Sequence, residues 1–229
     1  MTKKIFSGFK FIISSILKVA SFFLLVFWGA GRLNYWQGWG FTVLMFGTGI
    51  TAFILFRSNP DLIKERLKPG PGMKWWDKIF WVFNILFYFG VLGIGIMDGG
   101  RLFWTEIIPL WGYIVSYIGF IIGAGIVFWG MWVNNYFSSV VRIQKDREHK
   151  VITGGPYKYV RHPGYLGASI FMLSIGPILG SLWAMIPGGL WVVAVIIRTY
   201  LEDKTLQKEL EGYKQYTKKT RYRLIPYIW

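Results

Sequence analysis

Gly154-Gly-Pro-Tyr-Lys-Tyr-Val-Arg-His-Pro-Gly-Tyr165 is a polar, aromatic, proline-broken stretch that ends where an apolar block begins. Gly154 and Gly155 permit backbone angles that other residues avoid, so residues 154–157 read as a tight turn. His162 precedes a proline and is expected to be extended, while Pro163 suits the first position of a helix. A helix starting at Pro163 would leave backbone N–H groups and a partial positive end at its mouth, ready for a carboxylate or phosphate. The plainer reading stands beside it: an interfacial turn anchored by Tyr157, Tyr159 and Tyr165.

Working outward, apolar blocks fall at roughly 11–31, 38–56, 79–97, 108–134, 165–180 and 182–200. About 20 residues are needed to cross a bilayer, and the first four blocks qualify. The last two are short and meet at Gly180-Ser181, which predicts a helical hairpin. Lipid offers no water to backbone groups and no alternating barrel pattern is present, so helices are expected throughout. The expectation is an all-α polytopic membrane protein of about six hydrophobic helices with a cytosolic cap. It forms one domain over 1–229, with N-terminal spans in 1–137 and the loop, hairpin and C-terminal tail in 138–229. Gly119-x-x-x-Gly123, followed by Gly125, marks a close helix–helix contact.

The chain is 54% hydrophobic and 20% aromatic, with 13 Trp, many near the ends of apolar runs as in an aromatic belt. Its +15 formal charge, from 26 Lys and Arg against 11 Asp and Glu, crowds into alternate loops. The 57–78 and 135–164 loops and the 201–229 tail are basic, whereas 32–37 and 98–107 are not. The positive-inside rule then puts both termini in the cytosol. It also leaves no basic face on a soluble fold, which argues against a nucleic-acid partner. Lys3, Lys4 and Lys10 before the first block resemble a signal peptide, but the block reads as a retained span in which Lys18 snorkels. The absence of cysteine removes disulfides and thiolate chemistry, and two histidines, His149 and His162, are too few for a zinc centre. No metal is expected.

Arg198-Thr-Tyr-Leu-Glu-Asp203 leaves the last apolar block carrying a cation and two carboxylates. Arg198 and Glu202 are four apart and share a helix face. They form either an ordinary surface ion pair or two arms for different ligands, Glu202 taking a cationic or hydroxyl group and Arg198 an anionic one. On the topology above, this exit and the 154–165 stretch share the cytosolic side, open to a charged, water-soluble cofactor.

The combination resembles the isoprenylcysteine carboxyl methyltransferase family and its wider group of membrane methyltransferases. The residues that carry it are Gln144, His149 through Ile152, Gly155-Pro-Tyr157, Arg161-His-Pro-Gly-Tyr165, Arg198 with Glu202, and Tyr222-Arg-Leu-Ile-Pro226. Asn59-Pro60-Asp61 and Trp76-Asp77 add a likeness to prokaryotic-type members. The resemblance implies an S-adenosylmethionine site lined by Gln144, His149, Lys150, Val151, Ile152, Tyr157, His162, Pro163, Gly164, Tyr165 and Glu202. It puts Arg198, as substrate-binding and catalytic residue, against a lipophilic small-molecule or lipidated acceptor that arrives from the membrane lipids. The expected reaction is methylation of the acceptor's carboxylate, already ionised at neutral pH and in need of no general base. Two other readings share parts of the pattern: a phospholipid or amino-lipid N-methyltransferase, and an NADPH-dependent sterol-type reductase.

Overall fold

The computed structural model describes residues 19–229. The expected beginning of the first span and the snorkelling Lys18 lie outside the described residues. Within them the chain is helical and contains no strand. The helices are α1 (Val19–Ala30), α2 (Trp36–Phe56), α3 (Pro60–Leu67), α4 (Trp75–Met97), α5 (Leu110–Val133), α6 (Pro163–Ile178), α7 (Met185–Glu209) and α8 (Tyr213–Lys219). Four of them, α2, α4 with its π-helical extension to Leu102, α5 and α7, are long and apolar enough to cross a membrane.

Helix α6 is the central element, packed on α2, α4, α5 and α7. Its 16 residues hold little charge, and Ile175 and Ile178 are fully buried in the core with Phe120 of α5, Val91 of α4 and Val195 of α7. The α5–α6 contact is made by glycine, as Gly119-x-x-x-Gly123 led one to expect. A Cβ on Gly123 would lie 2.6 Å from the Gly167 carbonyl oxygen, and one on Gly167 would lie 2.6 Å from that of Gly123. Any larger residue at either position would push the two backbones apart. Gly125 takes no part, since nothing lies within 4 Å of a Cβ there.

The expectation that the last two apolar segments are both short needs correction. Residues 179–184 link α6 to α7, with Gly180 at φ +84°, but α7 runs for 25 residues, well past the apolar block. Hydropathy stops at residue 200, whereas the helix does not. No breaker occurs before Gly212, and the charges that enter the interior on α7, Arg198 and Asp203, are met there by partners. The 57–78 loop also contains a helix that hydropathy misses. In α3, Asn59 caps the N-terminus by accepting from the Leu62 N–H (3.1 Å), and Pro60 occupies the first turn.

Polar loops gather at one end of the bundle and tie its elements together. Arg142 in the α5–α6 loop grips Glu65 of α3 (2.7 Å) and Asp146 (2.7 Å), and Lys74 reaches Glu209 of α7 (2.7 Å). Burial pushes the Glu65 carboxyl up, but hydrogen bonds from Arg142 and Ser138 outweigh it and hold Glu65 below the usual carboxylate range. At the opposite end, Tyr35 donates to the Leu179 carbonyl (2.6 Å), and Asp98, fully buried, accepts from both the N–H and hydroxyl of Thr105 (2.8 and 2.7 Å).

Candidate functional site

The mouth of α6 is fixed before its chemistry is considered. Arg161 and His162 run extended against the C-terminal segment, their N–H groups donating to the carbonyls of Tyr222 and Arg223 (both 2.9 Å). Pro163 has no N–H, and the N–H groups of Tyr165 and Leu166 donate to the His162 carbonyl (3.1 and 3.3 Å). Among the described residues, Gly164 is left as the first-turn donor with no partner in the chain. The helix therefore begins at Pro163, as its Pro and the preceding His implied.

Beneath this mouth lies Asp203 of α7, fully buried, with four side chains closing on it. Arg161 makes a two-pronged contact (2.7 and 2.9 Å), Arg223 a single one (2.9 Å), and Tyr213 and Gln207 donate at 3.1 and 2.8 Å. His162 Nε2 sits 3.5 Å from the same carboxylate. Arg161 also donates to the carbonyls of Thr220 and Arg221, so a single carboxylate binds loop, helix and tail into one unit. A buried charge left without these partners would be strongly unfavourable.

Over this unit opens a cleft of about 830 Å³, open solvent at its mouth included. Ten of the eleven residues expected to hold a cofactor line it: Gln144, His149, Lys150, Val151, Ile152, Tyr157, His162, Gly164, Tyr165 and Glu202. Pro163 does not. The structure adds Tyr136 and Phe137 from the α5–α6 loop, and Leu206, Leu210, Tyr213 and Tyr216 from α7 and beyond. The sequence carried a signal for that last group, because Glu202, Leu206, Leu210 and Tyr213 are spaced by four, four and three.

Two faces of the cavity differ in chemistry. One is apolar and aromatic, built from Val151, Ile152, Leu206, Leu210 and Tyr157. Burial raises the Tyr157 hydroxyl far above the ordinary tyrosine value, so it keeps its proton well beyond neutral pH. The other face is polar. Glu202 is the sole carboxylate among the residues lining the cavity. It accepts from the Tyr165 hydroxyl and stands 4.0 Å from His162 Nδ1, with the His162 and Tyr165 rings stacked 5.7 Å apart. A Cβ on Gly164 would lie 2.5 Å from the Phe137 ring, which would have to shift to admit one.

His149 is neutral at physiological pH. Burial, then the charges of Arg142 and Arg147, lowers it to about 4. Its ring packs on Tyr136 (4.6 Å), and Nδ1 faces the Gln144 N–H at 3.5 Å. Gln144 is itself locked, donating to the Tyr136 carbonyl and accepting from Arg147 (both 2.7 Å).

Arg198 stands behind the cavity wall rather than on it. Its side chain is paired with Asp77 of α4, not with Glu202. Nε lies 2.9 Å from Oδ1, although poorly aligned for a hydrogen bond, and Nη2 donates to Oδ2 (3.2 Å) and to the Ser139 carbonyl (2.9 Å). The guanidinium lies over the Phe80 ring (4.3 Å) and the Tyr165 ring (5.3 Å), the second of which separates it from the cavity. Tyr165 thus touches both sides. The neutral His149, the unpartnered Gly164 N–H, the lone carboxylate and the apolar face together suit a ligand with an aromatic ring at one end and a cationic, polar group at the other.

Comparison with known proteins agrees with the motif reading. Residues 111–212, from the start of α5 to just beyond α7, match the family model described as phospholipid methyltransferase. A protein-S-isoprenylcysteine O-methyltransferase from Schizosaccharomyces pombe is 27% identical over 90 residues, covering 36% of this chain and 36% of the relative. The match therefore spans about a third of the length of that curated relative.

Proposed function

We propose that this chain is a membrane methyltransferase of the phospholipid and isoprenylcysteine kind, and that it transfers a methyl group from S-adenosylmethionine to the carboxylate of a lipophilic, prenylcysteine-like acceptor. The observation that carries the reading is the position of Glu202: the sole lining carboxylate, on the polar face, across from an apolar and aromatic one. When bound, the cofactor supplies an electrophilic methyl on a sulfonium. The apolar face would take its adenine ring, and the His162–Glu202 side its amino-acid and sulfonium end.

The chain's own residues would then align and desolvate. Glu202 holds a cation in place, Tyr165 borders both compartments at the point where they meet, and Arg198 offers the acceptor's carboxylate Nη1, the end of its guanidinium that Asp77 and Ser139 leave free among the described residues. The carboxylate oxygen gains the methyl as the carbon–sulfur bond breaks, and the electron pair stays with sulfur. No proton moves, so no general base is needed. Such catalysis rests on orientation and on a dry site.

In the membrane, the reading includes six hydrophobic helices, α6 and α7 as a hairpin, and a cytosolic polar end holding the cavity and both termini. The basic 57–78 and 135–164 loops support that orientation. A second reading, methylation of a phospholipid amine, is favoured by the description of the matched family model. Labelled S-adenosylmethionine offered with a panel of prenylcysteines, fatty acids and amino-lipids separates them. Base-labile methyl ester on a prenylcysteine is the expected product. Label appearing only as N-methyl lipid would overturn the carboxylate assignment.

A further inference from the structure

Helix α3 contributes an arginine whose position none of the motif residues explains. Arg66, in its last turn, is half-buried and makes no ion pair or side-chain hydrogen bond among the described residues. The buried carboxylates of α3 and of the start of α4 are committed elsewhere: Glu65 to Arg142 and Ser138, and Asp77 to Arg198 and the Val141 N–H (2.7 Å). Its guanidinium lies 5.2 Å over the ring of Phe137, which lines the cavity against Gly164.

Ser139 ties this arginine to the other. Its hydroxyl donates to the Arg66 carbonyl (3.1 Å), and its own carbonyl accepts from Arg198 (2.9 Å). Arg66 and Arg198 therefore approach the same wall, made by Phe137 and Tyr165, from two helices distant in sequence. Burial, partly offset by Tyr165 but reinforced by the charge of Arg198, holds Arg66 below the usual arginine range. Asp77 and Glu202 both act on Arg198, which leaves Arg66 a cation without a carboxylate of its own, among the described residues, in a poorly hydrated corner. Such a corner is relieved by an anion.

We propose that Arg66 is a second anion-holding residue for the acceptor, acting with Arg198 to grip one oxyanion of an amphiphile beside the Phe137–Tyr165 wall. The proposal rests on the acceptor reading above for the identity of that oxyanion as a carboxylate, but not for its existence. A phospholipid phosphate has the same chemistry and is the other source.

The test is equilibrium binding to purified full-length protein of a radiolabelled farnesylcysteine, its neutral carboxamide and phosphatidylethanolamine in nanodiscs. S-adenosylhomocysteine affinity within twofold of wild type checks the fold of each variant. Wild type is expected to favour the carboxylate over the carboxamide, and Arg66→Gln, which keeps an apolar stem over Phe137, to reduce that preference ten- to a hundredfold, the loss of a charge-assisted hydrogen bond. Should Arg66→Gln not fold, Arg66→Lys is expected to lose about threefold to tenfold by giving up the planar donors. An unchanged preference together with unchanged phosphatidylethanolamine binding in a folded variant overturns the role of Arg66. Weakened phosphatidylethanolamine binding alone keeps Arg66 as an anion holder and overturns the carboxylate as its ligand. Wild-type protein that binds the carboxylate through Arg66 yet yields no methyl ester separates failure of the proposed reaction from failure of this inference.

Discussion

The two sides of Tyr165 are built differently. On the cavity side, most walls come from one continuous stretch, 134–165, closed by the end of α7 and by α8. On the Arg198 side, the participants come from α3, α4, the α5–α6 loop and α7, and meet only through long-range contacts between Arg66, Asp77, Ser139 and Arg198. A site for a shared, water-soluble cofactor can be held by local sequence. On the proposed function, a site reached from the lipid would be assembled from helices distant in sequence. The comparison predicts that damage on the cavity side affects cofactor affinity and fold, and that damage on the other side affects the acceptor alone.

The largest effect should come from below both compartments. Asp203→Ala leaves Arg161 and Arg223 facing a buried void, and about 3–5 kcal/mol of stability should be lost. Thermal unfolding in detergent reads it, and a melting temperature equal to wild type would show that the cluster does not hold the tail in place.

On the acceptor side, Arg198→Lys should leave S-adenosylhomocysteine affinity intact while raising the acceptor KM or lowering turnover, on the order of a hundredfold if the nucleophile shifts by about 1 Å. Steady-state kinetics at saturating cofactor measures this. A matched fall in cofactor affinity would mean that Tyr165 does not separate the compartments. On the cavity side, Glu202→Gln should show the opposite pattern, weakening S-adenosylmethionine binding by roughly tenfold or more through loss of a charge-assisted bond. Calorimetric titration would reveal an unchanged Kd if the carboxylate serves only Tyr165.

The smallest effect concerns His149. Its folded value, about 4, is depressed from 6.5, so the unfolded chain takes up a proton that the native protein refuses between those pH values. Stability is complete above pH 6.5 and declines as pH falls toward 4. The partly exposed ring makes this worth about 1 kcal/mol, to be read as a shallower pH–stability slope in His149→Phe. An identical slope in that variant would remove His149 from the pH response.

The sequence disclosed the cavity side well because its signals are local. Gly-Gly-Pro before His-Pro announces a turn and a helix start, and both occur where the residues demand them. It disclosed the other side poorly. Arg198 and Glu202 share a helix face, which invites pairing them, yet Arg198 pairs with Asp77, 121 residues away. No pattern along the chain encodes that choice. Arg66 was absorbed into the charge of a basic loop, because charge counting cannot tell a cation facing water from one folded over Phe137. Helix α3 was legible in Asn59-Pro60-Asp61, but eight residues of mixed polarity give hydropathy nothing to detect.

Helix α7 has one further consequence. It carries Arg198, Glu202 and Asp203 on a single uninterrupted rod, with no proline or glycine between them. Four residues of helix fix the first two about 6 Å apart along the axis. On the proposed function that rod would work as a ruler: the positions at which a positive and a negative ligand are received would be set at one spacing by backbone geometry, beyond the reach of any loop motion. Inserting a single alanine between Arg198 and Glu202 would rotate one of them by about 100° around the axis and leave both residues present but out of gauge.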